Sequence, residues 1–494
     1  MGATRYEENE LTERTVSLDG PEGLSSGADA QLKGESIATR HIVASVIAAA
    51  APIAGIVGLV PLAILLGNGV GTPGAILLIA MLLVLFSVGF VRIVPHVRNA
   101  GAFYAYVSQG IGKATGLGTA YVLTLSYIAL SIGVVGGFGF FGQELLHRVG
   151  IDIPWIWCAV FGILAATALS ISGIQVAARV LLAILVLETL ALLVMDVGIL
   201  AQVGLGAFSF DAFNPNVVFS GAIGVAAIYG FSCFLGFEGT AIYAEEAKDA
   251  NQAVPKATYI VIVLVGLFYG LSAWVLIAGA GFDQAVGRSG EDPGLFVYGL
   301  AEQYVGSGLS NVIGTLNIVS LFAGALAFQN AGARYLFALG RDGVLPNQFA
   351  HTSPRLGSPI PALLVVGGLA LVVTVAFYAA GQDPFVGLST TMTGFGTIGL
   401  IASLTVTSFA IGIFFFRRGE RTVAKVGAPI LAGVLLAACA VAGIVNYDAL
   451  AGSESSMTWL PVMHVVMFAG GIAFAIWSRT KKRSTYENLG TTRV

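Results

Sequence analysis

From His41 to about residue 480 the chain is a succession of apolar runs of twenty or more residues, separated by short polar or glycine-rich stretches. Runs of that length cross a ~30 Å hydrocarbon layer as helices, because each helical residue adds ~1.5 Å. The ten-residue alternation of a membrane β-strand is missing from these runs. The pattern predicts about twelve spans, placed at 42–67, 74–94, 115–146, 154–172, 175–203, 219–246, 254–281, 309–340, 358–380, 386–416, 424–445 and 458–479. Composition agrees. With 56% hydrophobic residues, 10% charged residues and a mean hydropathy of +0.87, the chain lies far from soluble usage, where about 25% are charged. The expectation is an all-α integral membrane protein.

The ends differ from the middle. Residues 1–39 hold Arg5, Arg14 and Lys33 among many carboxylates, glycines and serines, and read as a disordered N-terminal tail without a cleavable signal peptide. Residues 481–494 read as a second polar tail. Basic residues orient the spans, since Lys and Arg collect on the cytoplasmic side. With the N-terminus inside, Arg148 and Arg288 are the two of 24 basic residues that fall outside, so both termini are expected in the cytoplasm. The sequence makes no separate prediction of oligomeric state, and nothing in it points to nucleic acid.

Two spans are interrupted. The first carries Ala51-Pro52 followed by Ile53, Ala54, Gly55, Ile56, Val57 and Gly58; the sixth carries Phe234, Leu235, Gly236, Phe237, Glu238 and Gly239. Proline removes an amide donor and glycine tolerates unwinding, and in lipid the released main-chain groups need a partner. A bound solute can be that partner, its charged ends facing half-helix termini. The two breaks lie five spans apart on oppositely directed segments. That arrangement predicts a five-plus-five inverted repeat over 40–416 with a mid-membrane site, followed by two further helices in 417–480.

Charged and polar groups within the spans sharpen the picture. A carboxylate at bilayer depth costs several kcal/mol, so Glu238 and Glu188 must each face a cavity, find a partner or hold a proton. Glu188 is the candidate proton carrier, because a carboxyl group whose solvent access alternates can load and release a proton; a structural hydrogen bond or a cation site are the alternatives. Glu238 reads either as a strut closing the helix break or as a second coupling group. Asp196 shares a helix face with Glu188 and reads as a solvated or capping residue. Tyr127 and Ser131 in the third span are candidates to reach the site, while Gly133, Gly137 and Gly142 read as close helix packing. Phe234 and Phe237 are either aromatic lids or lipid-facing bulk. Glu245, Glu246, Lys248, Arg334, Arg341 and Asp342 gather at the predicted inner ends of the sixth and eighth spans, as an ion-paired gate or as solvated charges. Cys158, Cys233 and Cys439 suggest neither disulfide nor metal site, and the histidines lack ligand spacing. Neither a P-loop nor a nucleophile with base and orienting partner is evident, so ATP-driven transport and enzymatic chemistry are disfavoured, and no cofactor is expected.

The stretch FLGFEGTAIYAEEAKDANQAVPKA at 234–257 resembles the F-x-G-F-E … E-E-x-K-[ND]-P … [IV]-P-x-A segment of the amino acid–polyamine–organocation permeases. Gly101-Ala102-Phe103-Tyr104-Ala105-Tyr106 resembles that family's Gly-Gly-x-Tyr-x-Tyr motif before the third span, and 330–346 is similar to its eighth-span end. The resemblance covers about residues 40–480. It implies a leucine-transporter-type fold and secondary transport of amino acids or related amines, with Glu238 beside the substrate and linking occupancy to gate closure. It also sets Glu188 where some proton-coupled members carry a lysine. The chain departs from the family at Ala54–Gly58, where Gly-Ser-Gly-x-Phe is usual, so that Ile56 stands where a small residue would admit a substrate carboxylate. The leading expectation is a bacterial cytoplasmic-membrane amino acid permease working by alternating access as a proton symporter. The alternatives are an amine or polyamine permease, an antiporter and, from a different class, a channel or a transporter-like sensor.

Overall fold

The structure, a computed structural model, describes residues 51–97, 103–173, 178–238, 250–451 and 457–490. The predicted tail at 1–39 and the gate candidates Glu245, Glu246 and Lys248 lie outside the described residues. Every regular element among the described residues is helical, and ten runs are long and apolar enough to cross a membrane.

The first of those ten, Pro52–Ile93, is 42 residues long. As one straight helix it would extend about 60 Å, twice the hydrocarbon thickness, so it has to turn. It does so at Gly67 (φ −99°, ψ −117°) and Gly69 (φ 60°). Asn68 secures the turn by donating to the Val218 carbonyl (2.9 Å) and accepting from the Thr72 hydroxyl (3.2 Å). Helix α1 therefore comprises Pro52–Ala54, Gly55–Leu59, Val60–Leu62 and Ala63–Asn68, its second and fourth pieces wound as π-helix, and α2 is Thr72–Ile93. The predicted first and second spans share this single run. Of the predicted sixth span, the described residues up to 238 form the ten-residue helix Ile223–Ser232 followed by a turn.

The remaining helices are α3 (Phe103–Gly110), α4 (Lys113–Arg148), α5 (Trp155–Ser172), α6 (Ala178–Val203), α7 (Ile223–Ser232), α8 (Ala250–Ala280), α9 (Ala285–Glu291), α10 (Phe296–Tyr304), α11 (Ser307–Arg341), α12 (Ile360–Ala379), α13 (Thr390–Arg417), α14 (Ala428–Val445), α15 (Val462–Lys481) and α16 (Arg483–Asn488). Lengths of 22, 8, 36, 18 and 26 residues for α2 to α6 are followed by 31 for α8, short α9 and α10, and 35, 20 and 28 for α11 to α13.

Helices α4 and α11 pack together more extensively than any other pair among the described elements, and α13 lies against α4 on another side. Close approach there requires glycine: a Cβ on Gly133 would fall 2.4 Å from the Thr393 hydroxyl, and one on Gly396 2.7 Å from Leu130. Of the predicted packing stripe, Gly133 meets α13 and Gly142 meets Cys158 of α5, whereas Gly137 borders the cavity described below. Outward faces of α6, α8, α12, α14 and α15 expose residues such as Leu190, Leu267, Val372, Val441 and Val465. Such faces suit contact with lipid tails. Arg148 lies over the Tyr298 ring and Arg288 donates to Gln303, so the two basic residues assigned to the outer side both contact α10.

Candidate functional site

Both interrupted segments reach the centre of the bundle. At the head of α1, Ala51 is the one non-glycine residue at positive φ among the described residues (φ 48°, ψ 68°), and Pro52 opens the helix behind it. A left-handed alanine costs about 1 kcal/mol, so packing must hold it. From Pro52 the backbone stays helical, so the first interruption sits at Ala51 and residues 53–58 are wound. Gly55 is required by a neighbour: a Cβ there would lie 2.3 Å from the Tyr269 hydroxyl of α8, which itself stands 3.5 Å from the Ala51 carbonyl. The other interruption follows α7. The chain leaves the helix after Ser232 and turns through 233–238, with Gly236 at φ 99°, a conformation that favours glycine.

Between α1, α4, α7, α11 and the π-helical turn Pro384–Ser389 that leads into α13 lies a cavity of about 80 Å³ that opens to solvent on one side. Gly55, Gly58, Gly137 and Gly324 bring main chain to its wall, and Leu130, Val134, Phe141, Phe328 and Phe385 give it an apolar surface. Its polar side chains are the hydroxyls of Ser232, Ser320, Ser389 and Thr393, and no charged side chain among the described residues lines it.

The predicted residues distribute around this space. Ala54, Gly55, Gly58 and Leu235 line it. Ile53, Ile56 and Val57 are fully buried away from it, as is Ser131. Neither phenylalanine lines the cavity: Phe234 packs beside Gly266 of α8, and Phe237 meets Phe86 and Phe90 of α2 edge-on. Below the cavity Phe328 stacks on Tyr127 and Tyr127 on Tyr335 (5.6 Å), forming an aromatic floor. Tyr127 donates to Glu238 (2.8 Å), whose other oxygen accepts from the Gly236 amide (3.0 Å). Glu238 thus closes the turn it belongs to and ties it to α4; it is 7% exposed and does not reach the cavity wall.

Glu188 of α6 is 3% exposed and reaches across 135 residues to the Ile53 amide, at 3.5 Å. At that distance the attraction is one of charge and dipole more than a directed bond. The Ser320 hydroxyl lies beside it without forming a hydrogen bond of good geometry. Asp196 accepts from Ser272 of α8 (2.6 Å), a helix-to-helix contact in place of the predicted solvation or capping.

Of the predicted gate, Arg334 is exposed, Arg341 lies over the Phe337 ring, and Asp342 is buried. Asp342 accepts from Tyr104 (2.7 Å) and from the Gly490 amide (3.2 Å). Burial, with Asp342 beside it, pushes the Tyr104 phenol up, so Tyr104 serves as donor in this pair. Sequence reasoning missed Ser232, Ser320, Ser389, Thr393, Phe328, Phe385 and Tyr269. Hydroxyls are common in membrane helices because they bond back to their own helix carbonyls, so the four hydroxyl residues gave little signal. Among the described residues no group of three His, Cys, Asp or Glu is placed to hold a metal ion.

With this geometry in hand, the fold can be compared. A manganese transporter of Eremococcus coleocola superposes with a TM-score of 0.56 at 14% identity, covering 93% of this chain and 99% of that one, so the two share a fold. Residues 43–475 match the family described as Amino acid permease, and the chain belongs to that family. Among its relatives, the branched-chain amino acid permease BcaP of Lactococcus lactis is 24% identical over 71% of this chain and 76% of its own length. The low-affinity putrescine importer PlaP of Escherichia coli is 25% identical over 61% and 66%, and the methylthioribose transporter of Bacillus subtilis 25% over 63% and 66%.

Proposed function

We propose that the chain is a secondary transporter carrying amino acids or a closely related amine across the cytoplasmic membrane of a bacterium by alternating access. The observation that supports it best is the cavity itself, which sits where α1 begins after a left-handed residue and where α7 stops short. A broken pair at mid-depth gives a solute main-chain partners there. In this reading the structural core is an inverted repeat in which α1 to α6 correspond to α7 to α13, as the similar order of lengths supports, with α14 and α15 as additional spans and both termini inside. Substrate contacts fall to Ala54, Gly55, Gly58, Ser232, Leu235 and Ser320. The Tyr127–Glu238 floor separates the site from the inner side, and Arg334, Arg341 and Asp342 belong to the inner end.

Transport is driven by the proton gradient, with Glu188 and Glu238 as the buried carboxylates available to couple it. Apolar walls fit a cargo with an apolar side group, as the name of the branched-chain relative would lead one to expect. The test is uptake of labelled leucine and of labelled 3-methylbutylamine by the purified chain in liposomes, with and without an inward proton gradient. Saturable, gradient-dependent accumulation is expected; counterflow without any gradient effect would make the chain an exchanger, and the absence of saturation would remove the transport reading.

A further inference from the structure

This inference rests on the transport reading above and concerns which end of the solute the site can hold. We propose that Glu188 is a resident anion occupying the place at the head of α1 where a cargo carboxylate would bind, so that the cargo is an amine with an apolar body and no carboxylate.

The head of α1 is the positive end of a helical run from 52 to 66, and Pro52 offers no amide there, which makes Ile53 the first N–H of the helix. That N–H faces the Glu188 carboxylate at 3.5 Å. A second carboxylate brought to the same amide would meet Glu188 at close range, and like charges in a poorly hydrated interior repel strongly. The adjoining residue Ala54 lines the cavity, so the occupied amide stands directly behind the cavity wall.

Two independent features agree. Ser320, 2% exposed, lies beside Glu188 and lines the cavity, so its hydroxyl stands between that carboxylate and the space for cargo. On the opposite wall, α7 ends at Ser232, also at the cavity. The C-terminal end of a helix carries partial negative charge, which attracts an ammonium group. The positive end is thus neutralised from within the protein while the negative end adjoins the space for cargo. Among the described residues the neighbours of Glu188 are uncharged: Ile53 from α1, Ser320 from α11 and the Tyr269 phenol from α8.

The test is a calorimetric titration of the full chain in lipid nanodiscs at neutral pH with leucine, leucinamide and 3-methylbutylamine. Leucinamide keeps the shape of leucine and loses its negative charge. The wild-type chain is expected to bind leucinamide and 3-methylbutylamine about tenfold or more tighter than leucine. Glu188→Gln is expected to narrow that ratio to within about threefold by strengthening leucine binding, because the like charge that repels the cargo carboxylate is removed. Leucine binding to the wild-type chain as tightly as leucinamide overturns the inference and leaves the transport reading standing. Binding of none of the three overturns both. Because the wild-type ratio decides by itself, a poorly folded variant does not blunt the test.

Discussion

The two carboxylates buried at bilayer depth, Glu188 and Glu238, are alike in burial and unlike in what they hold. Glu238 grips its own turn through the Gly236 amide and is gripped by Tyr127, so all its bonds serve to close one break and fasten it to α4. Glu188 has no such local partner and extends from α6 to the first amide of α1. One carboxylate completes a fold that would otherwise expose its main chain; the other supplies charge to a helix end that adjoins the cavity. Burial alone therefore does not assign a role, and the partner does.

That contrast can be broken in graded steps. Glu238→Ala should have the largest effect, because it strands the Gly236 amide and the Tyr127 hydroxyl in a dry interior. We expect a loss of about 3 kcal/mol or more in stability and of uptake altogether, read by thermal unfolding and by liposome transport. Gly55→Ala should come next: its Cβ would sit 2.3 Å from Tyr269, and overpacking of this kind costs about 1–3 kcal/mol. Rescue of uptake in Gly55→Ala/Tyr269→Ala, with the double variant more stable than the sum of single effects, would locate the damage at that contact. Tyr127→Phe keeps the aromatic stack and removes one hydrogen bond to Glu238, so about 1–2 kcal/mol is expected in unfolding experiments, with binding affinity nearly unchanged. Glu188→Gln should be smallest in stability, under about 1 kcal/mol, since a neutral amide still accepts from Ile53; its effect appears in the leucine to leucinamide ratio. If Glu188→Gln destabilised the chain as much as Glu238→Ala, the distinction drawn between the two carboxylates would fail.

The helical, membrane-spanning character was legible in the sequence because lipid imposes it: apolar length, and glycine and proline inside a span, report on one solvent. Pro52 and Gly236 marked the two sites, though α1 is wound from Pro52 onward and the left-handed residue at its head is Ala51, which has no intrinsic preference for that conformation. The cavity was legible in part. Main-chain contributors such as Gly55 and Gly58 advertise themselves by lacking a side chain, whereas Ser320 and Phe328 look like any other residues of a long apolar helix. Tyr269 could not be anticipated, since its function is to fill the hollow left by Gly55 and only the packing of α8 against α1 brings them together. Phe234 and Phe237 show the converse: adjacency to a break in sequence did not place their rings over the cavity, because the turn at Gly236 directs them into α2 and α8.

The cargo sits, on the transport reading, in the space between α1 and α7. Gly58 gives direct access to it, since a Cβ built there meets no atom within 4 Å and the residue lines the cavity. In a chain with Cys158, Cys233 and Cys439 replaced by alanine, Gly58→Cys is expected to support uptake, to react with a methanethiosulfonate reagent, to lose uptake once modified, and to be protected by leucinamide or leucine. Full modification that leaves uptake intact and is unaffected by either solute would contradict it.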